Sequence, residues 1–251
     1  MWNPTDYLAF GDHRARPFYD LLSRVATTHP RAVVDLGCGP GNLTATLSHR
    51  WPGARVTGID SSPEMVAAAK SRGVEATEGD LSTWVPTADT DVLVSNAALQ
   101  WVPDHPTLLR EWATALPPHA WLAFQVPGNF SAPSHELVRA LAASPPWRDR
   151  VPPLRGEDSV LTPTAYADLF PAHDVDAWET TYLHPLTGTD PVLDWITGTA
   201  LRPIRAALPD PEWTEFRETL APALRAEYPP RPDGTTLFPF RRIFAVIQTS
   251  G

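Results

Sequence analysis

Between residues 32 and 126, short apolar runs bounded by turn residues alternate with stretches of helical spacing. The runs fall at 32–36, 55–59, 91–95 and 121–126. Their alternation with helical stretches predicts βαβ units in a parallel sheet. One helix start is explicit. Ser61, Ser62, Pro63 and Glu64 precede MVAAAK, offering a serine cap, a proline for the first turn and a glutamate for a capping box, so a helix is expected over 63–72. A further strand is expected to end near Gly79.

The rhythm changes after Pro127. Prolines gather at 145–146, 152–153, 203–211 and 229–232, which predicts loops and short helices, not a second doubly wound domain. Two late segments, ETTYLH (179–184) and LFPFRRIFAVIQ (237–248), still read as strands that complete the far edge of the same sheet. The expected organisation is a lid segment over 1–30, an α/β core over 31–127, and a remainder over 128–251 whose insertions, about 128–160 and 185–235, form a cap.

Composition narrows the chemistry. With net charge −9 and a pI near 5.3, the 251-residue chain lacks the basic surface that nucleic acid or an anionic membrane requires. No stretch approaches the roughly 18 apolar residues of a membrane span, and the N-terminus carries no targeting pattern, so a cytoplasmic protein is expected. Cys38 is the single cysteine, which excludes an intrachain disulfide. Lys70 is the single lysine, which excludes a Gly-Lys-Ser/Thr phosphate loop. The histidines have no metal-ligand spacing, and no metal is expected.

Within that frame VVDLGCGPGN (33–42) carries the chemistry. A strand ending at Leu36, followed by Gly37, Gly39 and Gly41 and then a helix, presents bare backbone N–H groups at the carboxyl edge of a sheet. A dinucleotide fingerprint needs a third small residue where Asn42 stands, so the spacing does not fit NAD. Asp60, closing the second strand, is placed to hydrogen bond ribose hydroxyls; its alternative is a helix cap, a role that Ser61 or Ser62 also fills. Asp80 is placed to accept an adenine amine, with Leu81 against the ring. Asp35, inside an apolar strand, either holds neighbouring backbone amides or touches the ligand, and Cys38 is expected to be a packed residue, not a nucleophile. Glycines, a ribose acid and an adenine acid without a phosphate grip describe a nucleoside with an amino-acid tail, S-adenosylmethionine.

The motifs VVDLGCGPGN, GIDSSPEM, EGD and SNAALQW resemble the successive motifs of class I S-adenosylmethionine-dependent methyltransferases. More narrowly, WNPTDYLAF with RARP, NAALQWVPDH, TTYLH and FPFRRIF are similar to the trans-aconitate methyltransferases, and these matches span nearly the whole chain. The resemblance implies a Rossmann-like α/β fold with a seven-stranded, mostly parallel sheet. It implies Asp35, Gly37, Gly39 and Gly41 around the methionine moiety, Asp60 with Ser61 at the ribose, and Asp80 and Leu81 at the adenine. Asn96 and Ala97 would line the cofactor, and Gln100 and Trp101 would border the space before the methyl group. Trp2, Tyr7 and Phe10 would form an aromatic lid, with Arg16 nearby on the cofactor. The substrate anchors implied are Arg14, His13, His184, Arg202, Tyr228 and Arg242. The reaction implied is methyl transfer to a carboxylate of a small polycarboxylic acid, giving S-adenosylhomocysteine. Methylation of a fatty, isoprenoid or carrier-bound malonyl acid is the nearer alternative, and a non-catalytic cofactor-binding regulator the more distant one. Both a monomer and a homodimer fit the sequence.

Overall fold

The computed structural model describes residues 11–251, with side chains from residue 15 onward. Trp2, Tyr7 and Phe10 lie outside the described residues. The chain divides into two compact units.

The first unit holds residues up to 127, 160–180 and 242–251. Helix α1 (Gly11–Leu22) buries Phe18, Leu21 and Leu22 and packs against β5 (Trp121–Pro127). The alternation read in the sequence appears as β1 (Ala32–Leu36), α2 (Thr44–Arg50), β2 (Arg55–Asp60), α3 (Pro63–Ser71), β3 (Glu75–Glu78), β4 (Thr90–Asn96) and α4 (His105–Ala115) before β5. Every residue of β1 is buried, the polar Asp35 included. Full burial of side chains such as Leu36, Leu93 and Phe124 contributes about 1.5–3 kcal/mol each, so the sheet is itself the core.

The sheet has seven strands in the order β3-β2-β1-β4-β5-β7-β6, where β6 is Asp174–Leu186 and β7 is Thr236–Gln248. The five N-terminal strands are parallel, and β7 runs antiparallel to β5, from Trp121 opposite Gln248 to Pro127 opposite Arg242. This is the expected Rossmann-like arrangement, with the two late strands at the far edge. The chain steps from β1 outward to β3, then returns to place β4 on the other flank of β1. The strand order therefore reverses between β1 and β4, the point at which open α/β sheets bind ligands at their carboxyl edge.

The helix start at α3 differs in detail from expectation. Ser62, not Ser61, is the cap: its hydroxyl accepts the Met65 N–H at 3.3 Å. Glu64 thus falls one position too early for a capping box, and it accepts the Ser62 hydroxyl proton at 2.7 Å instead of reaching back to a backbone N–H.

The second unit holds residues 128–159 and 181–241. Its helices are α5 (Pro133–Ala142), α7 (Pro191–Thr197), α8 (Arg202–Ala207) and α9 (Asp210–Glu227); the short α6 (Pro163–Ala167) belongs to the first unit. Here the expectation of loops and short helices needs correction, because α9 runs for 18 residues. The prolines start helices more than they break them. Pro133, Pro163, Pro191, Pro203 and Pro211 all lie in first turns, where a missing N–H costs nothing, and Pro222 is accommodated inside α9. Helix α9 packs on α5 and α7, with Trp147 edge-on to Phe216 at 5.3 Å. Among the described residues no helix is long and apolar enough to cross a membrane.

Candidate functional site

The first unit assembles the strand ends that the sequence singled out. Gly37, Gly39 and Gly41 all have positive φ, +77°, +56° and +76°, so the loop after β1 adopts a left-handed path that L side chains resist. The first two positions differ in what surrounds them. A Cβ on Gly37 would lie 2.2 Å from the Ala98 Cβ, so this glycine lets the β1 and β4 ends touch. A Cβ on Gly39 would meet nothing within 4 Å, so the space beside this glycine is open. A cradle of that kind fits a ligand approaching the bare main chain.

Asp60 holds the cradle in place. One carboxylate oxygen accepts the Gly39 N–H at 2.9 Å and the other the Ser62 N–H at 2.9 Å. The Gly37 and Cys38 N–H groups bond to the Ile59 carbonyl at 2.8 and 3.0 Å, so β2 and the loop form one rigid piece. Each Asp60 oxygen keeps a second lone pair for ribose hydroxyls. Ser61, beside it, is exposed. Asp80 caps the turn Leu81–Thr83, accepting the Ser82 N–H at 2.9 Å and its hydroxyl at 2.8 Å, which hold its carboxyl below the usual range. Leu81 is buried next to it.

Asp35 lies beneath the loop, with one oxygen accepting the Thr44 hydroxyl at 2.6 Å. Its other oxygen is buried without a hydrogen-bond partner among the described residues. Burial raises its carboxyl to about 6; the Thr44 bond opposes the rise and the nearby Asp60 charge adds to it. Asp35 thus bonds a hydroxyl and not backbone amides, the first of the two alternatives read from the sequence. Cys38 is buried, and burial pushes its thiol far above the normal range, so it stays protonated.

On the far side of the switch point, the Ser95 hydroxyl bonds the Leu36 carbonyl at 3.0 Å and ties the ends of β4 and β1. Ala97 follows in a left-handed conformation, φ +56°. It is pinned from both sides: its N–H donates to the Gln125 carbonyl at 2.9 Å, and its carbonyl accepts the Gln100 side-chain amide at 2.6 Å. Gln100 therefore spends an N–H on the loop, and Trp101, 37% exposed, lies just beyond it. Asn96 is half-buried, and its side-chain oxygen accepts from the Gln125 amide at 2.7 Å. The Gln125 oxygen in turn accepts from the buried Arg242 guanidinium at 3.3 Å. Gln125 and Thr44 were not singled out in the sequence. The only signal for Gln125 is a polar residue inside the apolar run WLAFQVP.

Other expected site residues are distributed as follows. His13 and Arg14 fall in α1, and their side chains lie outside the described residues. Arg16, also in α1, is exposed and faces Asp20 at 3.7 Å. In the second unit, His184 is buried and stacked on Trp195 at 4.6 Å between ring centroids. Arg202 begins α8, half-buried, with burial lowering its guanidinium from the usual value. The Tyr228 hydroxyl accepts the Ser134 N–H at 3.1 Å, and the residue borders a cavity of about 610 Å³ in that unit together with Asn129, Arg231 and Arg241. Among the described residues no cluster of three or more His, Cys, Asp or Glu side chains forms a metal site.

Comparison with known proteins bears directly on this arrangement. A family model described as a methyltransferase domain matches residues 33–119, the stretch from β1 past α4. The chain is 60% identical over 252 residues to a trans-aconitate 2-methyltransferase of Rhodococcus jostii, covering 99% of both chains. It is 56% identical over 255 residues to the protein of the same name from Mycobacterium tuberculosis, covering 100% of this chain and 98% of the other. Among solved structures, the YcgJ protein of Bacillus subtilis matches with a TM-score of 0.58 at 16% identity, over 96% of this chain and 99% of that one. A Haemonchus contortus phosphoethanolamine N-methyltransferase solved with S-adenosyl-L-methionine matches with a TM-score of 0.53 at 15% identity, over 94% of this chain and 52% of that one. The structural likenesses establish the fold. The full-length identities establish more: the chain belongs to the trans-aconitate 2-methyltransferase family of S-adenosylmethionine-dependent methyltransferases.

Proposed function

We propose that this protein transfers the methyl group of S-adenosylmethionine to a carboxylate oxygen of trans-aconitate, releasing a monomethyl ester and S-adenosylhomocysteine. The observation that carries the reading is identity near 60% over the full length to proteins named for that reaction. The strand-end geometry agrees with it.

S-adenosylmethionine supplies an electrophilic methyl on a positively charged sulfur. The chain's part is to bind and orient. The open space beside Gly39 takes the amino-acid tail, Asp60 the ribose, and Asp80 with Leu81 the adenine. A substrate carboxylate is already ionised at neutral pH, so its oxygen needs no general base, and no side chain here is assigned one. Attack joins an anion to a cation, and excluding water from both raises its rate. The carboxylates that do not react need fixed cationic donors, for which an arginine fork is suited. Arg242, buried at the ligand edge of the sheet, and Arg14 in α1 are the proposed anchors.

The test is direct. Purified protein given S-adenosylmethionine and trans-aconitate should yield a monomethyl ester visible by mass spectrometry. Normal cofactor binding with no ester would redirect the reading to another acid.

A further inference from the structure

Arg242, Gln125 and Asn96 form a row of side chains whose direction is fixed. A guanidinium only donates hydrogen bonds, so the Arg242 Nη1–H contact at 3.3 Å forces Gln125 to present its carbonyl oxygen to it. The Gln125 amide nitrogen then points the other way and donates to Asn96 Oδ1 at 2.7 Å. With its oxygen engaged, Asn96 keeps its own NH2 turned away from the Gln125 amide. The row runs from the buried Arg242 through the fully buried Gln125 to the half-buried Asn96, at the carboxyl end of β4 beside the switch point. The backbone reinforces it, since the Gln125 carbonyl also holds the strained Ala97 through its N–H.

We infer that Gln125 is a positioning residue that transmits donor polarity from Arg242 to Asn96, fixing the Asn96 amide as an N–H donor to a ligand carboxylate. A free asparagine presents either end of its amide at little cost, and would offer a repelling oxygen part of the time. Locking the donor outward removes that alternative and discriminates for an acceptor. The carboxylate has two sources, the methionine tail of the cofactor or the polycarboxylate substrate. The inference rests on the site proposed above for the cofactor.

Replacing Gln125 by Glu inverts the row. One Glu oxygen still accepts from Arg242, now as an ion pair, while the other faces Asn96. Asn96 must then donate inward and expose its carbonyl oxygen to the ligand. Gln125→Met removes both bonds and leaves Asn96 free to turn either way. If Gln125 were merely structural, Met would be the worse substitution, because it leaves a buried guanidinium bond unmade. The inference predicts the opposite order.

The experiment measures S-adenosylhomocysteine affinity by calorimetry and the trans-aconitate KM by turnover, for both variants, alone and with Asn96→Ala. 5′-Methylthioadenosine, which has no carboxylate, serves as the control ligand. Gln125→Glu should weaken one of the two carboxylate ligands by about tenfold, more than Gln125→Met, with the control ligand unchanged. In the Asn96→Ala background the Glu substitution should have little further effect. Weakened S-adenosylhomocysteine assigns the cofactor tail; a raised KM alone assigns the substrate. Met worse than Glu, equal losses with and without Asn96, or no loss for either ligand overturns the inference. A protein that binds S-adenosylhomocysteine but leaves trans-aconitate unmethylated contradicts the proposed reaction; calorimetry of trans-aconitate binding then replaces the KM, so the role of Gln125 is still decided by the order of the two variants.

Discussion

Asp60 accepts the N–H of Gly39 at 2.9 Å, so the acid at the end of β2 shapes the glycine loop at the end of β1. The same carboxylate is the proposed ribose acceptor. Asp60→Ala therefore removes two things together, the loop's anchor and the ligand's partner. S-adenosylhomocysteine affinity should fall by about 1–3 kcal/mol, roughly five- to 150-fold, the cost of leaving polar groups unpaired. Calorimetry on folded variant checks this, and unchanged affinity would remove Asp60 from the site.

The two glycines of the loop should separate folding from binding. Gly39→Ala adds a methyl to open space and costs about 1–2 kcal/mol of left-handed backbone strain, yet it narrows the ligand's approach. Gly37→Ala adds the same strain and drives a Cβ into Ala98. Thermal denaturation should show a modest shift for Gly39→Ala and a much larger loss for Gly37→Ala. Cofactor affinity should fall steeply in the still-folded Gly39→Ala. Equal stabilities for the two would mean that the close approach of β1 and β4 is not required.

Asp35 offers a pH signature. Burial raises its carboxyl from 3.8 to about 6, so between about pH 4 and 6 the folded state holds a proton that the unfolded chain has released. The associated stability is fully present below about pH 4 and is lost as pH rises through about 6. At neutral pH the charged form is disfavoured by about 3 kcal/mol. Asp35→Asn, which keeps an acceptor for Thr44, should thus gain stability relative to the wild type as pH rises from 4 to 7. Parallel denaturation midpoints across that range would contradict the shift.

The fold was legible where short apolar runs bounded by turn residues alternate with stretches of helical spacing. The strands expected at 32–36, 55–59, 91–95 and 121–126 appear within a residue or so of those bounds. In the second unit it was less legible, because a proline in a helix's first turn reads in sequence like a proline in a loop. Pro209, Pro211 and Pro222 together hid the 18-residue α9. At the site, motif spacing found the residues that present backbone or carboxylate at strand ends. It missed those acting through a neighbour: Thr44, whose hydroxyl reaches Asp35 from the next helix, and Gln125, whose role depends on β4 and β7 flanking β5. Such partners are set by strand order, which no local spacing encodes.

The central claim is that the methyl group leaves on a carboxylate. It implies that the rate stays nearly flat above about pH 6 until some other group titrates, since no base must lose a proton. The decisive measurement follows methyl-labelled S-adenosylmethionine into trans-aconitate and then treats the product with mild alkali. An ester releases its label as methanol, and that is the predicted result. Label that resists alkali, as on an ether oxygen, nitrogen or carbon, or no transfer to any small polycarboxylate, would contradict it.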